Sequence, residues 1–255
     1  MAWRDVSGQA RKYKKYSGHA VQICKQTIGD RWTGKYFEGG SQVFDKQFWI
    51  RDFSISLEGI IDLGFLSQAK KNLSWALGVY RENNCIGTTI LGEDSVFDFW
   101  VFSADSLPWL LRSLKIAGCK NLANEYKDFL NEEIKKYYQT VCDTQTWLVK
   151  LDWFSSPKDV IVRRGACVAN VFMIYLQKLL LEDYPFLVNP FGKRDLLTPF
   201  VKAFWVKENG YFRNDIEDEE KFISADANIF PFWLEILENT HMHKRAMNAI
   251  RRERL

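Results

Sequence analysis

The sequence predicts an all-α chain built from helical hairpins, and three observations predict it. Apolar residues recur at a helical period along most of the chain, and helix-stop signals follow several of the stripes. Helix starts of one style also return at intervals of roughly 50 to 60 residues, the length of a helix leaving a shared face and a second returning to it.

In chain order, a first helix is expected at about 8 to 28 and a second from near Phe53 to the stop at Gly64. The stripe Leu66, Ala69, Leu73, Ala76, Leu77, Tyr80 then follows the 3.6-residue period. Leu107, Leu110, Leu111 and Leu114 form the next stripe, closed by Gly118. Leu122, Tyr126, Phe129, Leu130, Ile134 and Tyr137 form another, and Val168, Phe172, Tyr175 and Leu179 a further one ahead of Pro185. Thr198-Pro199 reads as the N-cap and first turn of a short helix to about Val206. Ile229, Phe232, Trp233, Ile236 and Leu237 carry a later helix, and a basic one is expected over 241 to 255, for roughly nine helices in all. Only Phe44 to Ile50 and Ile86 to Leu91 read as short extended pieces.

Composition bounds the function. At 255 residues and 47% apolar content the chain can bury a large core, and it is read as a single domain spanning 1–255. The 35 basic and 32 acidic residues nearly cancel, so no single-sign field points to nucleic acid or a membrane surface. The basic runs Arg11 to Lys15 and Arg251 to Arg254 read as solvated helix faces. The apolar stretch Val168 to Leu176 is far short of a membrane span, and Met1-Ala-Trp-Arg-Asp opens without a secretory core.

Five widely spaced cysteines without a Cys-x-x-Cys pair suit a reducing, cytoplasmic setting. The acidic run from Asp215 to Glu220 lacks the EF-hand spacing, and His241 and His243 have no third ligand nearby, so neither a metal nor an organic cofactor is expected. No serine or cysteine nucleophile motif and no glycine-rich phosphate loop is present. Ten tryptophans in a chain with 15% aromatics fit a large core, and also fit ring faces on which sugars stack.

The repeated helix starts are Trp49-Ile50-Arg51-Asp52, Phe102-Ser103-Ala104-Asp105, Val162-Arg163-Arg164-Gly165 and Ile223-Ser224-Ala225-Asp226. In a closed ring, such starts collect helix N-termini at one mouth, where an Asp either caps free amides or meets a hydroxyl-rich ligand.

Trp49-Ile50-Arg51-Asp52-Phe53-Ser54, with Leu57, Ile60, Asp62 and Gly64 after it, resembles the Trp-x-Arg-Asp segment of six-hairpin glycosidases, the glucoamylases and their relatives. Ser103-Ala104-Asp105 before Trp109, Thr146-Trp147 to Asp152-Trp153 with Arg163-Arg164-Gly165 and Asn170, and Ser224-Ala225-Asp226 are similar, in order, to later parts of amylo-1,6-glucosidase-like members. The resemblance covers about residues 40 to 240. It implies an (α/α)6 toroid, here with about nine of twelve helices, so that further chain or a second chain would complete the ring.

It also implies a carbohydrate substrate, an α-linked glucoside or oligosaccharide hydrolysed by inversion. Arg51 and Asp52 would bind sugar hydroxyls, Trp49, Trp109 and Trp153 would stack on or wall in the sugar, and Asp105 and Asp226 would shape the rim. The Trp-Glu-Glu acid of glucoamylases is absent. Asp152 is its nearest substitute and Asp159 the second, with the base unassigned. Two alternatives are another sugar-active toroid enzyme (phosphorylase, epimerase or lyase), with Arg163 and Arg164 as the phosphate ligands of a phosphorylase, and a non-catalytic helical scaffold that binds protein.

Overall fold

The computed structural model describes residues 19–39, 45–98, 101–155, 163–217 and 223–253, with the backbone alone at Arg163. The run Arg11 to Lys15, Asp159 and most of the acidic run lie outside the described residues. The chain divides into two compact units, Met1–Asp98 with Trp109–Leu130 and Phe99–Pro108 with Asn131–Leu255.

Among the described residues, the first unit opens with α1 (His19–Asp30) and β1 (Gln47–Trp49), and β1 runs directly into α2 (Ile50–Asp62). Ile50, Phe53, Leu57 and Ile60 recur at helical spacing and are buried, so one face of α2 joins the core. Asp52 sits in the first turn, where the helix dipole favours a carboxylate. The helix stops where Gly64 takes φ of +100°, a conformation costly for any residue with a Cβ, and Phe65 donates back to the Ile60 carbonyl at 3.1 Å. The chain reverses into α3 (Leu66–Glu82), which packs on α2 and buries Ala69, Leu73, Ala76, Leu77 and Tyr80.

The two extended pieces find each other: β1 pairs antiparallel with β2 (Thr89–Leu91), and β2 with β3 (Ser95–Phe97). Facing residues Phe48 and Ile90 are fully buried. The body of α4 (Ser106–Ile116) and α5 (Lys120–Glu125) complete this unit. Trp109, Leu110, Leu111 and Leu114 are wholly inside. Arg112 fastens α4 to α2 by donating to the Ser54 carbonyl at 2.6 Å and pairing with Glu58 at 2.9 Å.

In the second unit, α6 (Lys127–Val141) leads to the strand pair β4 (Cys142–Asp143) and β5 (Leu148–Val149). The pair β6 (Trp153–Phe154) and β7 (Arg163–Arg164) precedes α7 (Cys167–Glu182). Next come α8 (Leu197–Phe204), the pair β8 (Trp205–Val206) and β9 (Tyr211–Phe212), α9 (Ala225–Trp233) and α10 (Thr240–Arg252). Apolar on nearly every side, α7 is buried accordingly and packs on both α8 and α9.

The all-α expectation holds. There are ten helices among the described residues, and the sheets are small pairs apart from one of three strands. The starts of α2, α4, α7 and α9 fall at Ile50, Ser106, Cys167 and Ala225, roughly 60 residues apart, with one helix, or two between α4 and α7, in each interval.

Four local expectations are corrected. The stripe from Leu122 to Tyr137 breaks at Tyr126, whose amide bonds Leu122 and closes α5. The third start lies at Cys167, because Arg163 and Arg164 belong to a strand pair and Gly165 has φ of +55°. The Thr198 cap gives way to Asp195, whose Oδ1 accepts the amides of Leu197 and Thr198, both at 3.0 Å. Ile236 and Leu237 lie beyond α9: Glu235 turns to φ of +54°, and their amides both reach the Pro231 carbonyl.

Candidate functional site

The feature that gathers predicted site residues is a cleft of about 430 Å³ in the first unit. The C-terminal end of α1 and one stripe of α2 form its sides, with residues 37–39 beside them. Trp49 and Asp52 line it together because β1 passes straight into α2, which places the last strand residue and the first helical turn on one wall. Phe37, Phe53 and Ile60 supply apolar wall and are themselves buried. Phe37 and Phe53 stack with centroids 6.3 Å apart, and Phe65 meets the edge of Phe37 at 6.1 Å. A buried asparagine sets the Phe37 loop, since Asn72 Oδ1 accepts the Phe37 amide at 2.8 Å.

Among the described residues, two carboxylates and one guanidinium are the charged groups of the cleft, Glu38, Asp52 and Arg31, and Thr27 and Ser56 add hydroxyls. Arg31 is held by Asp45, whose Oδ1 accepts from Nη1 at 2.9 Å. Glu38 Oε1 accepts the Lys46 amide at 3.1 Å, and its own amide donates to the Arg31 carbonyl at 3.0 Å, which fixes the side chain beside β1. The phenol of adjacent Tyr36 is raised above its ordinary range by burial, and the negative charges of Glu38 and Glu93 push it further. Trp49 Nε1 donates to Gln47 Oε1 at 3.0 Å, so its ring is held in place. Such an arrangement offers hydroxyl acceptors beside aromatic and aliphatic wall, the chemistry of a small polyol or sugar.

The other predicted residues lie elsewhere. Arg51 is buried in the first unit and does not line the cleft. Trp109 is fully buried, and its carbonyl accepts from Ser54 Oγ at 3.1 Å and Ser113 Oγ at 2.8 Å. Asp105 is fully buried too, with Ser103 Oγ donating to it at 2.9 Å. Asp226 stands half-buried in the first turn of α9, where its Oδ1 accepts the Ala227 amide at 2.9 Å.

Asp152 is exposed on the turn between β5 and β6, and its Oδ1 accepts the Trp153 amide at 2.7 Å. The apolar neighbours expected to desolvate it are half in solvent, Leu151 at 50% and Trp153 at 52% exposure. In this state they leave the carboxylate open to solvent. Arg164 is engaged by the Leu151 carbonyl at 3.2 Å and by Glu217 at 3.4 Å, which leaves it poorly placed to hold phosphate. Among the described residues no cluster of His, Cys, Asp or Glu could hold a metal, and no helix is long and apolar enough to cross a membrane.

Glu38, Arg31 and Phe37 were not legible as site residues. Residues 31–39 carry no helical or strand period, and the one bridge there, Trp32 with Phe37, has no sequence signature.

No family model matches the sequence, and no curated protein matches it. Solved structures do. One glycosidase variant aligns with a TM-score of 0.67 at 13% identity, over 91% of this chain and 68% of its own. Another, in complex with glucose, aligns at 0.64 and 14%, with the same coverage. A rhamnosidase from Klebsiella oxytoca with rhamnose bound aligns at 0.63 and 14%, over 92% of this chain and 48% of its own. Over most of its length, this chain has the fold of those glycosidases.

Proposed function

We propose that the protein is a glycoside hydrolase acting on an α-linked glucoside or short oligosaccharide with inversion. The observation that carries the reading is the joint presence of Trp49 and Asp52, from the Trp-x-Arg-Asp segment, in one cleft of a chain whose fold matches solved glycosidases. Asp52 accepts hydroxyls of the terminal sugar, Trp49 walls it in, and buried Arg51 acts from beneath as a positioning residue. Asp152 is the proton donor, and a ligand covering Leu151 and Trp153 would supply the desolvation that the free protein lacks. The whole chain acts as one catalytic domain, in a reducing, cytoplasmic setting that suits its five cysteines.

The test is a panel of α- and β-linked glucosides, maltose, isomaltose and trehalose, with cleavage and tryptophan fluorescence followed together. Cleavage of an α-linked member with the product anomer inverted supports the reading, and silence in both signals overturns it. Asp52→Ala should abolish binding while leaving Tm within a few degrees, and an equal loss of both would make Asp52 a structural residue. Asp152→Asn should slow substrates with poor leaving groups far more than activated ones, and equal effects would remove it from the role.

A further inference from the structure

The wall of the cleft changes character along α2. Asp52, Phe53, Ser56 and Ile60 fall on one stripe of that helix, and at a rise of 1.5 Å per residue the stripe runs about 12 Å from the first turn. Trp49 and Asp52 stand where β1 enters the helix, and the Gly39 amide bonds the Gln47 carbonyl at 2.8 Å, which holds residues 38 and 39 beside the same strand. Beyond Asp52 the described wall is chiefly apolar, with Phe53, Ile55 and Ile60 on α2 joined by Ile28 of α1 and by Phe37. The polar side chains that α2 and the last turn of α1 add along it are the hydroxyls of Ser56 and Thr27.

A cleft of about 430 Å³ falls in the range that takes drug-sized ligands, roughly 300 to 1,000 Å³, so one sugar ring at the Trp49 and Asp52 end leaves room along the stripe. A second sugar ring laid there would press its hydroxyls against aliphatic carbon and lose hydration that two hydroxyls do not replace. An alkyl or aryl group gains from the same wall. Ile55 is 41% exposed, and a ligand covering it removes from water an apolar side chain that the fold leaves open. We infer that this stretch is a subsite for an apolar aglycone, and that the substrate class is small alkyl and aryl glucosides rather than oligosaccharides. The inference rests on the reading of the Trp49 and Asp52 end as a sugar site.

The experiment titrates methyl, butyl, hexyl and phenyl α-glucosides, maltose and hexanol into the full chain, wild type and Ile55→Asn, by calorimetry and tryptophan fluorescence. In wild type, affinity should rise by about two- to fourfold for each methylene buried, with the hexyl and phenyl glucosides bound more tightly than maltose or hexanol. The heat capacity of binding should grow more negative along the alkyl series. In Ile55→Asn the ratio of hexyl to methyl affinity should fall by about threefold. That ratio is read within one protein, so a general loss of folded material does not move it. Equal affinity for methyl and hexyl glucosides, or maltose bound more tightly than either apolar glucoside, overturns the inference and leaves the sugar site standing. An unchanged ratio in Ile55→Asn overturns the placing of the aglycone against α2. Hexanol bound as tightly as hexyl glucoside, or no response of wild type to any glucoside or to maltose, removes the sugar site and the inference with it.

Discussion

Asn228 makes three hydrogen bonds from one buried side chain. Its Oδ1 accepts the Phe212 amide at 2.7 Å, and its Nδ2 donates to the carbonyls of Phe212 and Ser224, both at 2.9 Å. Asn170 does the same work one hairpin earlier, accepting the Val149 amide at 2.8 Å and donating to the Ala166 carbonyl at 2.8 Å. In each case an asparagine in the first turn of a helix ties an earlier strand pair to it, β4 with β5 for Asn170 and β8 with β9 for Asn228. Removing one leaves strand amides and carbonyls buried without partners, so Asn228→Ala should cost about 2–3 kcal/mol, visible in urea unfolding. A change under half of that would mean that water satisfies the freed groups. At this scale Asp52 was legible, because the Trp-x-Arg-Asp segment fixes its place in a helical turn. The burial of Trp109 was not legible for a physical reason: the same ring chemistry suits a core and a sugar platform, and exposure is not written in the residue type.

Helix ends show where local sequence suffices and where it fails. Gly64 and Gly118 stop helices as expected, with φ of +100° and +68°. The cap of α10 is Asn239, whose Oδ1 accepts the Met242 amide at 3.0 Å. Asn239→Ala should destabilise the protein by about 1 kcal/mol, and Asn239→Asp should retain nearly all of the stability, with thermal unfolding as the check. An equal loss in both variants would place the cost in packing rather than in the cap. The strand pairs β4 with β5 and β8 with β9 were missed, since two-residue strands have no period to detect. Their partners are fixed by the buried asparagines, which lie 16 and 21 residues away.

Across the whole molecule, burial holds several weak acids neutral. The Tyr80 and Tyr137 phenols and the Cys167 thiol are pushed well above their ordinary ranges by burial, and the Cys142 thiol is pushed up to about 11, again chiefly by burial. In the unfolded chain the thiols ionise near 9.0 and the phenols near 10.0. A folded pKa above the unfolded one means that the unfolded chain releases protons first as pH rises. The contribution is therefore fully present below about 9 and is lost as pH climbs through 9 toward 11 and beyond. Tm should be flat from neutral pH to about 9 and then fall steadily, as scanning calorimetry across that window will register. A Tm that holds constant to pH 11 would show that these groups ionise inside the fold.

The sequence by itself determined the helical class, the return of helix starts at hairpin intervals and the position of Trp49 and Asp52 at one of those starts. All of these depend on residues within a turn or two of each other, where period and stop signals act. Only the tertiary structure decided that Trp109 and Asp105 are interior, that Asp152 stands in solvent beside half-exposed neighbours, and that Glu38 shares a cleft with Asp52. Burial and proximity of this kind come from segments that meet across the fold, and the free energy that joins them belongs to the packed contact rather than to either segment alone.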